Sequence, residues 1–176
     1  MKNNNLTTSR LVIRPLLPID NLDWLEIFNS DLVGKFLTKI DDIAVIDRLI
    51  AKKISKYENN IGCSYSVIKK NGTKVIGNIE LKVDEVNNIG EISYVFNSKY
   101  WNKGFATEAI KEIVRYSFND LNLKKIVADC LKDNTASIHI LQDKIKMKLV
   151  KEELIEQTQN GETKKVPYLF FELARK

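Results

Sequence analysis

Hydrophobic residues recur along this chain in two patterns, one typical of helices and the other of strands. Apolar residues three or four positions apart predict four helices, and these begin near Asp20, Asp41 or Asp42, Gly104, and Asn134 or Thr135. Asp20 is expected to cap the first helix. Seven apolar runs between turn signals predict strands, at residues 10–14, 64–69, 74–83, 90–96, 125–131, 149–157 and 165–173.

The connections between the strands indicate how they pair. Asn71-Gly72 and Asn160-Gly161 are typical of tight turns and predict two hairpins. The helix at residues 104–119 joins the strand at 90–96 to the strand at 125–131. Because a helical crossover normally joins parallel strands, this pair is expected to be parallel. We therefore expect an α/β (α+β) fold, a mixed and mostly antiparallel sheet of about seven strands flanked by about four helices.

Composition limits the class of protein. The chain has 176 residues, of which 44% are hydrophobic and 29% charged, a profile typical of a globular domain and not of a disordered chain. We expect a single domain over residues 1–176, with its core at about 8–173, as a monomer or homodimer. No run approaches the roughly 20 apolar residues of a membrane span. The polar start at residues 1–10 lacks a signal-peptide segment, so a cytoplasmic protein with no membrane partner is expected.

The net charge and the few potential metal ligands limit the classes of function that the sequence fits. Cys63 and Cys130 show no metal-ligand spacing, and His139 is the only histidine, so no metal is expected. The net charge of +5 fits either a solvated lysine-rich surface or attraction to an anionic ligand. A nucleic-acid-binding domain is disfavoured because no recognised motif or ordered basic face accompanies the charge.

The loop before the helix at residues 104–119 carries the strongest chemical signal. Unpaired amides at a helix N-terminus bind anions. Gly104 and the small Ala106 would let a phosphate approach the backbone, while Lys103 would add a positive charge and Thr107 a hydroxyl. The loop is neither a P-loop nor a dinucleotide-binding fingerprint, because it lacks both Gly-Lys-Ser/Thr and the glycine triplet.

Residues 101–109, Trp-Asn-Lys-Gly-Phe-Ala-Thr-Glu-Ala, resemble the acetyl-CoA-binding motif of the GNAT superfamily of N-acetyltransferases. They are especially similar to its Rim branch, which acetylates ribosomal-protein N-termini. Residues 9–15 (Ser-Arg-Leu-Val-Ile-Arg-Pro), residues 76–79 (Ile-Gly-Asn-Ile) and the spacing of Asn134 and Ser137 resemble the same branch. The resemblance implies that acetyl-CoA is the co-substrate and that the acceptor is an amine, either a protein N-terminus or a small molecule.

The resemblance also implies where acetyl-CoA lies. Its pyrophosphate would lie on the backbone of residues 102–107, and its pantetheine would pair with residues 94–97 like an additional strand. The backbone N–H near Val95 would face the thioester carbonyl, where an oxyanion donor is useful. The implied cofactor-binding residues are Tyr94, Val95, Phe96, Asn97, Asn102, Lys103, Gly104, Phe105, Ala106, Thr107 and Asn134.

Each implied catalytic residue also has a structural interpretation. Glu91 is the candidate base, acting directly or through water, or else a solvated or paired strand carboxylate. Ser137 is the candidate acid for the departing sulfur, or else a residue of a helix cap. Tyr94 is a rival acid or a core residue. Asn134 either caps its helix or contacts the cofactor. Cys130 is expected to be structural, because the family transfers acetyl directly.

One segment departs from the family pattern. The family continues after its Asn-x-x-Ser helix into Lys-Leu-Gly-Phe, whereas residues 144–147 read Lys-Ile-Lys-Met, with one extra residue after Ser137. This change leaves open an alternative function, a non-catalytic acetyl-CoA-binding module. Trp24 and Phe28 either line the acceptor pocket or pack in the core.

Overall fold

The computed structural model describes residues 5–58, 63–159 and 162–175. The strands are β1 (Leu6–Thr7), β2 (Leu11–Pro15), β3 (Cys63–Lys69), β4 (Val75–Asp84), β5 (Ile89–Phe96), β6 (Lys125–Leu131), β7 (Lys148–Gln159) and β8 (Glu162–Ala174). The α-helices are α1 (Asn21–Phe28), α2 (Asp31–Gly34), α3 (Ile43–Glu58), α4 (Phe105–Asn119) and α5 (Thr135–Ile138). Short 3-10 turns cover Pro18–Asp20 and Ser98–Tyr100, and a π-helical turn covers His139–Lys144.

The strands form one sheet in the order β1-β2-β3-β4-β5-β6-β8-β7. Every neighbouring pair is antiparallel except β5 and β6, which are parallel. The predicted fold class is therefore confirmed, as is the parallel pair around α4. The short elements β1 and α2 were not predicted, because two and four residues are too few to show a periodicity. The predicted turn at Asn160-Gly161 lies outside the described residues.

Helices cover both faces of the sheet. The main core cluster joins the sheet to α4, whose buried residues include Phe105, Ala109 and Ile113. A second cluster joins α1 and α3 to the sheet. Val75 belongs to the second cluster and the next residue, Ile76, to the main one, as expected for side chains that alternate across a strand. No helix in the described part of the chain is long and apolar enough to cross a membrane.

Asp20 is the N-cap residue of α1, as predicted, but its side chain forms no capping hydrogen bond. Its side chain is 3% exposed and accepts hydrogen bonds from the Arg14 guanidinium, from Ser66 Oγ at 2.6 Å and from Leu17 N at 3.0 Å. Burial alone would raise the pKa of Asp20, but these hydrogen bonds hold it below its ordinary value. Asp20 therefore ties the start of α1 to β2 and β3, and its carboxylate is no longer available as a cap.

The parallel pair β5–β6 is short. Only residues 89–91 of β5 pair with residues 125–127 of β6. β5 continues to Phe96 and stays paired with β4 on its other side. Beyond Glu91, the β6 side of β5 therefore lacks a neighbouring strand, and a wedge-shaped opening separates the two strands.

Candidate active site

A cleft of about 570 Å³ occupies this opening. Residues 93–96 of β5 form one wall, and residues 129–131 of β6 form the other. The start of α4, the end of α2 with the loop after it, and the region of α5 complete the lining. The parting of one strand pair thus places a strand edge, a helix N-terminus and several polar side chains around one cavity.

The loop at the start of α4 has the conformation of an anion-binding site. Asn102 and Gly104 have φ angles of 58° and 77°, in the left-handed region. Gly104 is the N-cap of α4, and its carbonyl accepts a hydrogen bond from Glu108 N at 3.0 Å. The amides of residues 105–107 precede that bond and have no acceptor within the helix. Together with the helix dipole, they favour a bound anion.

Arg10, the residue directly before β2, holds this loop. Its Nη1 donates to the Lys103 carbonyl at 3.0 Å, its guanidinium lies 4.5 Å from the centre of the Phe105 ring, and its Nε donates to Glu108 Oε2 at 2.6 Å. Glu108 also accepts hydrogen bonds from Arg10 N at 2.9 Å and from the hydroxyls of Thr8 and Ser9. Burial alone would raise the pKa of Glu108, but these hydrogen bonds hold it at about 2.

Sequence reasoning missed this network because its partners are about 98 residues apart. Local periodicity carries no information about such a pair. The one available signal was the presence of Arg10 in the opening segment that resembles the Rim branch. In the structure, that segment supports the loop around Gly104.

Residues 93–96 of β5 form a wall of the cleft, and their β6 side has no neighbouring strand. Trp101 Nε1 donates to the Phe96 carbonyl at 2.8 Å, which fixes the indole at the end of the wall. A Cβ atom on Gly77 would lie 2.5 Å from the Phe96 ring, so the absence of a side chain at Gly77 makes room for that ring. This contact explains the glycine within residues 76–79.

Most of the predicted cofactor residues line the cleft, and so does Ser137. The lining residues that were predicted are Tyr94, Val95, Phe96, Asn102, Gly104, Phe105, Ala106, Thr107, Asn134 and Ser137. The structure brings them together from three separate parts of the chain, residues 94–96, 102–107 and 134–137.

Three predicted residues, Glu91, Asn97 and Lys103, are not among those that line the cleft. Glu91 accepts a hydrogen bond from Lys82 Nζ at 2.9 Å on β4. Asn97 is 2% exposed and binds Glu26, so its side chain is structural. The Lys103 ammonium donates to the Lys99 carbonyl at 2.8 Å, and the expectation that it faces the phosphate site is not met in this conformation.

Ser137 lies beside Tyr94 in the lining of the cleft. Asn134 is the N-cap of α5 and accepts a hydrogen bond from Ser137 N at 3.1 Å, so its capping role is confirmed while it also lines the cleft. Burial raises the pKa of Tyr94, and the nearby Ser137 opposes that rise without reaching hydrogen-bonding geometry. The Tyr94 hydroxyl therefore stays protonated at neutral pH.

The segment after α5 absorbs the extra residue as a π-helical turn. Ile145 N donates to the Ile140 carbonyl at 2.9 Å, a bond that spans five residues. A π-turn accommodates one more residue than an α-turn and is often found at functional sites. Lys146, where the family has glycine, adopts a φ angle of 67°. The left-handed conformation that glycine favours is thus present here without the glycine.

Apolar residues of α2 and the loop after it line the cleft, whereas the sequence left open whether Trp24 and Phe28 of α1 line it or pack in the core. Val33, Phe36 and Leu37 contribute to the lining. Trp24 and Phe28 instead pack together in the second core cluster, with ring centres 5.5 Å apart. α2 was too short to be predicted, so its side chains were not recognised as candidates.

Comparison with known proteins shows the family to which the chain belongs. The acetyltransferase (GNAT) domain family matches residues 10–147. This chain belongs to the GNAT family of acetyltransferases. Members of this family use acetyl-CoA as the acetyl donor.

The GNAT chain has relatives of similar length in Bacillus subtilis strain 168. It is 29% identical over 161 residues to the uncharacterized N-acetyltransferase YoaA, covering 89% of both chains. It is 28% identical over 138 residues to the uncharacterized N-acetyltransferase YnaD, covering 78% of this chain and 79% of the relative. Together with the family match, these relatives show that the chain is an N-acetyltransferase. They are not assigned to the Rim branch.

Solved structures share the fold of this GNAT chain. A GNAT acetyltransferase from Bacillus anthracis superposes with a TM-score of 0.82 at 23% identity, covering 97% of this chain and 98% of the other. The ribosomal-protein-S5-alanine acetyltransferase of Vibrio fischeri has a TM-score of 0.82 at 17% identity, with 97% and 96% covered. The microcin C7 self-immunity acetyltransferase MccE, solved with acetyl-CoA and AMP, has the same TM-score and identity, with 96% and 94% covered.

Proposed function

We propose that this N-acetyltransferase passes the acetyl group directly from acetyl-CoA to a primary amine while both substrates are bound. The observation that carries the proposal is the parting of β5 and β6 beyond Glu91, which opens a cleft leading to the N-terminus of α4. A strand edge with free amides and a helix start with free N–H groups suit the two halves of acetyl-CoA, pantetheine and pyrophosphate.

The proposed cofactor site uses backbone groups. The pyrophosphate lies on the amides of residues 102–107, and pantetheine pairs with residues 94–96 in place of a strand. Arg10 and Glu108 keep the phosphate loop in the required conformation. The N–H near Val95 serves as the donor to the thioester oxygen, where negative charge develops during transfer.

Direct transfer is supported by the state of Cys130. This thiol lines the cleft, but burial, together with the neighbouring Asp129, raises its pKa to about 11. Because the thiolate is the nucleophilic form, Cys130 is a poor acetyl carrier at neutral pH. The amine therefore attacks the thioester itself, and the tetrahedral intermediate collapses as the C–S bond breaks.

Ser137 is the proposed acid for the leaving thiolate. It lines the cleft beside Tyr94, which stays protonated and provides a second donor. Glu91 is the proposed base and acts through water, because its carboxylate is not part of the lining. The acceptor is either a protein N-terminus or a small amine. The Rim-like segments and the shared fold of the Vibrio fischeri enzyme support the first class.

The cofactor site is tested by changing Gly104 to aspartate. The carboxylate would repel pyrophosphate and fill the space through which it approaches. Acetyl-CoA at 100 times its Kd should stabilise the wild type by roughly 2.7 kcal/mol, seen as a rise in Tm, and Gly104→Asp should lose that rise. Gly72→Asp is the matched control, because Gly72 is an exposed turn residue outside the cleft. Equal responses of both variants would place the phosphate site elsewhere.

The direct route is tested by kinetics and mass spectrometry. Initial rates with acetyl-CoA and an accepted amine should give intersecting double-reciprocal lines, as expected when both substrates are bound together. Incubation with acetyl-CoA alone should leave the protein mass unchanged. Parallel lines and an acetylated Cys130 would instead show a covalent intermediate.

The acid is tested by Ser137→Ala. Turnover should fall by roughly 10²- to 10⁴-fold while the Tm rise with acetyl-CoA is kept, because the backbone of α5 is unchanged. Thr135→Ala is the matched control on the same helix, since Thr135 does not line the cleft. A near-normal kcat for Ser137→Ala would move the acid role to Tyr94 or to solvent.

A further inference from the structure

Among the lining residues that belong to the described part of the chain, Asp129 is the only carboxylate. It lies on β6 two residues after Val127, which pairs with Glu91 at the end of the parallel ladder. Ser93 lies two residues after Glu91 on β5 and also lines the cleft. Since alternate residues of a strand share a face, Asp129 and Ser93 lie on the same face at the closed end of the wedge.

The charge at this end of the cleft is not balanced. Of the charged groups that face Asp129, Glu91 on β5 is negative and Lys82 on β4 is positive, and these two bind each other. On β8, the residue opposite Asp129 is Phe170. Asp129 forms no hydrogen bond or ion pair with any residue in the described part of the chain. Asp129 is exposed, so one carboxylate that has no cation of the protein as a partner is accessible from the cleft.

The other charged and titratable groups nearby do not neutralise Asp129. His139 and Lys144 also line the cleft, but His139 is bound to Asp143 at 2.7 Å and neither forms an ion pair with Asp129. Tyr168 on β8 has its pKa raised by burial and by Asp129, so it carries no charge at neutral pH. Asp129 is exposed to solvent, but partial desolvation of its carboxylate and the charge of Glu91 raise its pKa, while Lys82 opposes that rise.

We propose that Asp129 determines acceptor specificity by binding the ammonium form of a cationic amine, in a cleft whose lining also includes the apolar residues Val33, Phe36 and Leu37. This inference rests on the proposed acetyl transfer and names the class of acceptor, a cationic amine on an apolar stem. Lys82 is held by Glu91, so the acceptor supplies the missing positive charge. The bound ammonium group then loses a proton, through water, to Glu91, the proposed base of the reaction.

The kinetic test compares two primary amines that differ in charge at neutral pH, n-butylamine and aniline. Asp129→Asn should lower kcat/KM for n-butylamine by roughly 10- to 100-fold and leave that for aniline nearly unchanged. Glu172→Gln is the matched control, because Glu172 is a carboxylate on β8 that is bound to Lys125 at 3.1 Å and lies outside the cleft. Equal losses with both amines, or no loss, would overturn the inference.

A second test needs no turnover. The carboxyl ¹³C signal of Asp129 is titrated with and without n-butylammonium chloride, with n-butanol as the neutral control. The cation should lower the pKa of Asp129, and the alcohol should not. Asp129→Asn should also raise the Tm of the free protein at neutral pH, since it removes repulsion with Glu91. An Asp129 titration unaffected by the cation would overturn the inference even if the acetyl transfer itself is established.

Discussion

Replacing Glu108 with glutamine removes one negative charge from the network that holds the phosphate loop and keeps the shape of the side chain. Glu108 accepts four hydrogen bonds, from Thr8, Ser9 and both the backbone and side chain of Arg10. The neutral amide of glutamine would accept a weaker hydrogen bond from the Arg10 guanidinium. Its NH₂ group would also face groups that themselves donate hydrogen bonds. We therefore expect both the fold and the acetyl-CoA site to be weakened.

The magnitude follows from the pKa of Glu108. The ordinary value of 4.5 and the folded value of about 2 differ by about 2.5, which corresponds to about 3.4 kcal/mol. Because the network lies near the surface and solvent screens it, we expect about 1–2 kcal/mol at pH 7. The folded pKa lies below the unfolded one, so this stabilisation is complete above the unfolded value and is lost as the pH falls toward 2.

The assay is urea unfolding of wild type and Glu108→Gln at several pH values. The difference in unfolding free energy should be largest near pH 7 and should fall by more than half at about pH 3. Glu112→Gln is the matched control on the same helix, because Glu112 forms a surface ion pair with Arg115 and should cost about 0.5 kcal/mol or less. A Glu108→Gln cost that is independent of pH, or no larger than the control, would refute the reasoning.

Three further substitutions test other parts of the structure. Glu91→Gln should make kcat/KM depend more steeply on pH, because only the free-amine fraction would react, and an unmoved profile would leave Glu91 as a strand residue. Lys146→Gly should raise the urea unfolding free energy by about 1 kcal/mol, because it removes a side chain from a φ angle of 67°, and a loss of stability would contradict that explanation. Gly77→Ala should lower stability by about 1–3 kcal/mol and reduce the Tm rise with acetyl-CoA, because the new Cβ would displace Phe96. Gly34→Ala, whose Cβ would lie 3.6 Å from Lys39, should show neither effect.

The sequence by itself determined the order of the long elements and the position of the loop proposed to bind phosphate. The repeat of apolar residues is local, so it identified α3, α4 and every strand of the sheet except the two-residue β1 without knowledge of their partners. The crossover helix likewise determined that β5 and β6 are parallel. The segment around Gly104 was recognisable because both its backbone conformation and its chemistry depend on adjacent residues.

The tertiary structure alone decided which side chains meet. Asp20 had the sequence position of a cap, but burial beside Arg14 and Ser66 gave it stronger partners. Glu91 is on the predicted strand β5. The parallel ladder between β5 and β6 extends to this residue. The carboxylate of Glu91 binds Lys82 and lies outside the cleft. Asp129 was not recognised because nothing local marks the residue at which two strands part. Hydrophobic periodicity records which face of an element is buried, whereas the cleft depends on the distance between elements far apart in the chain.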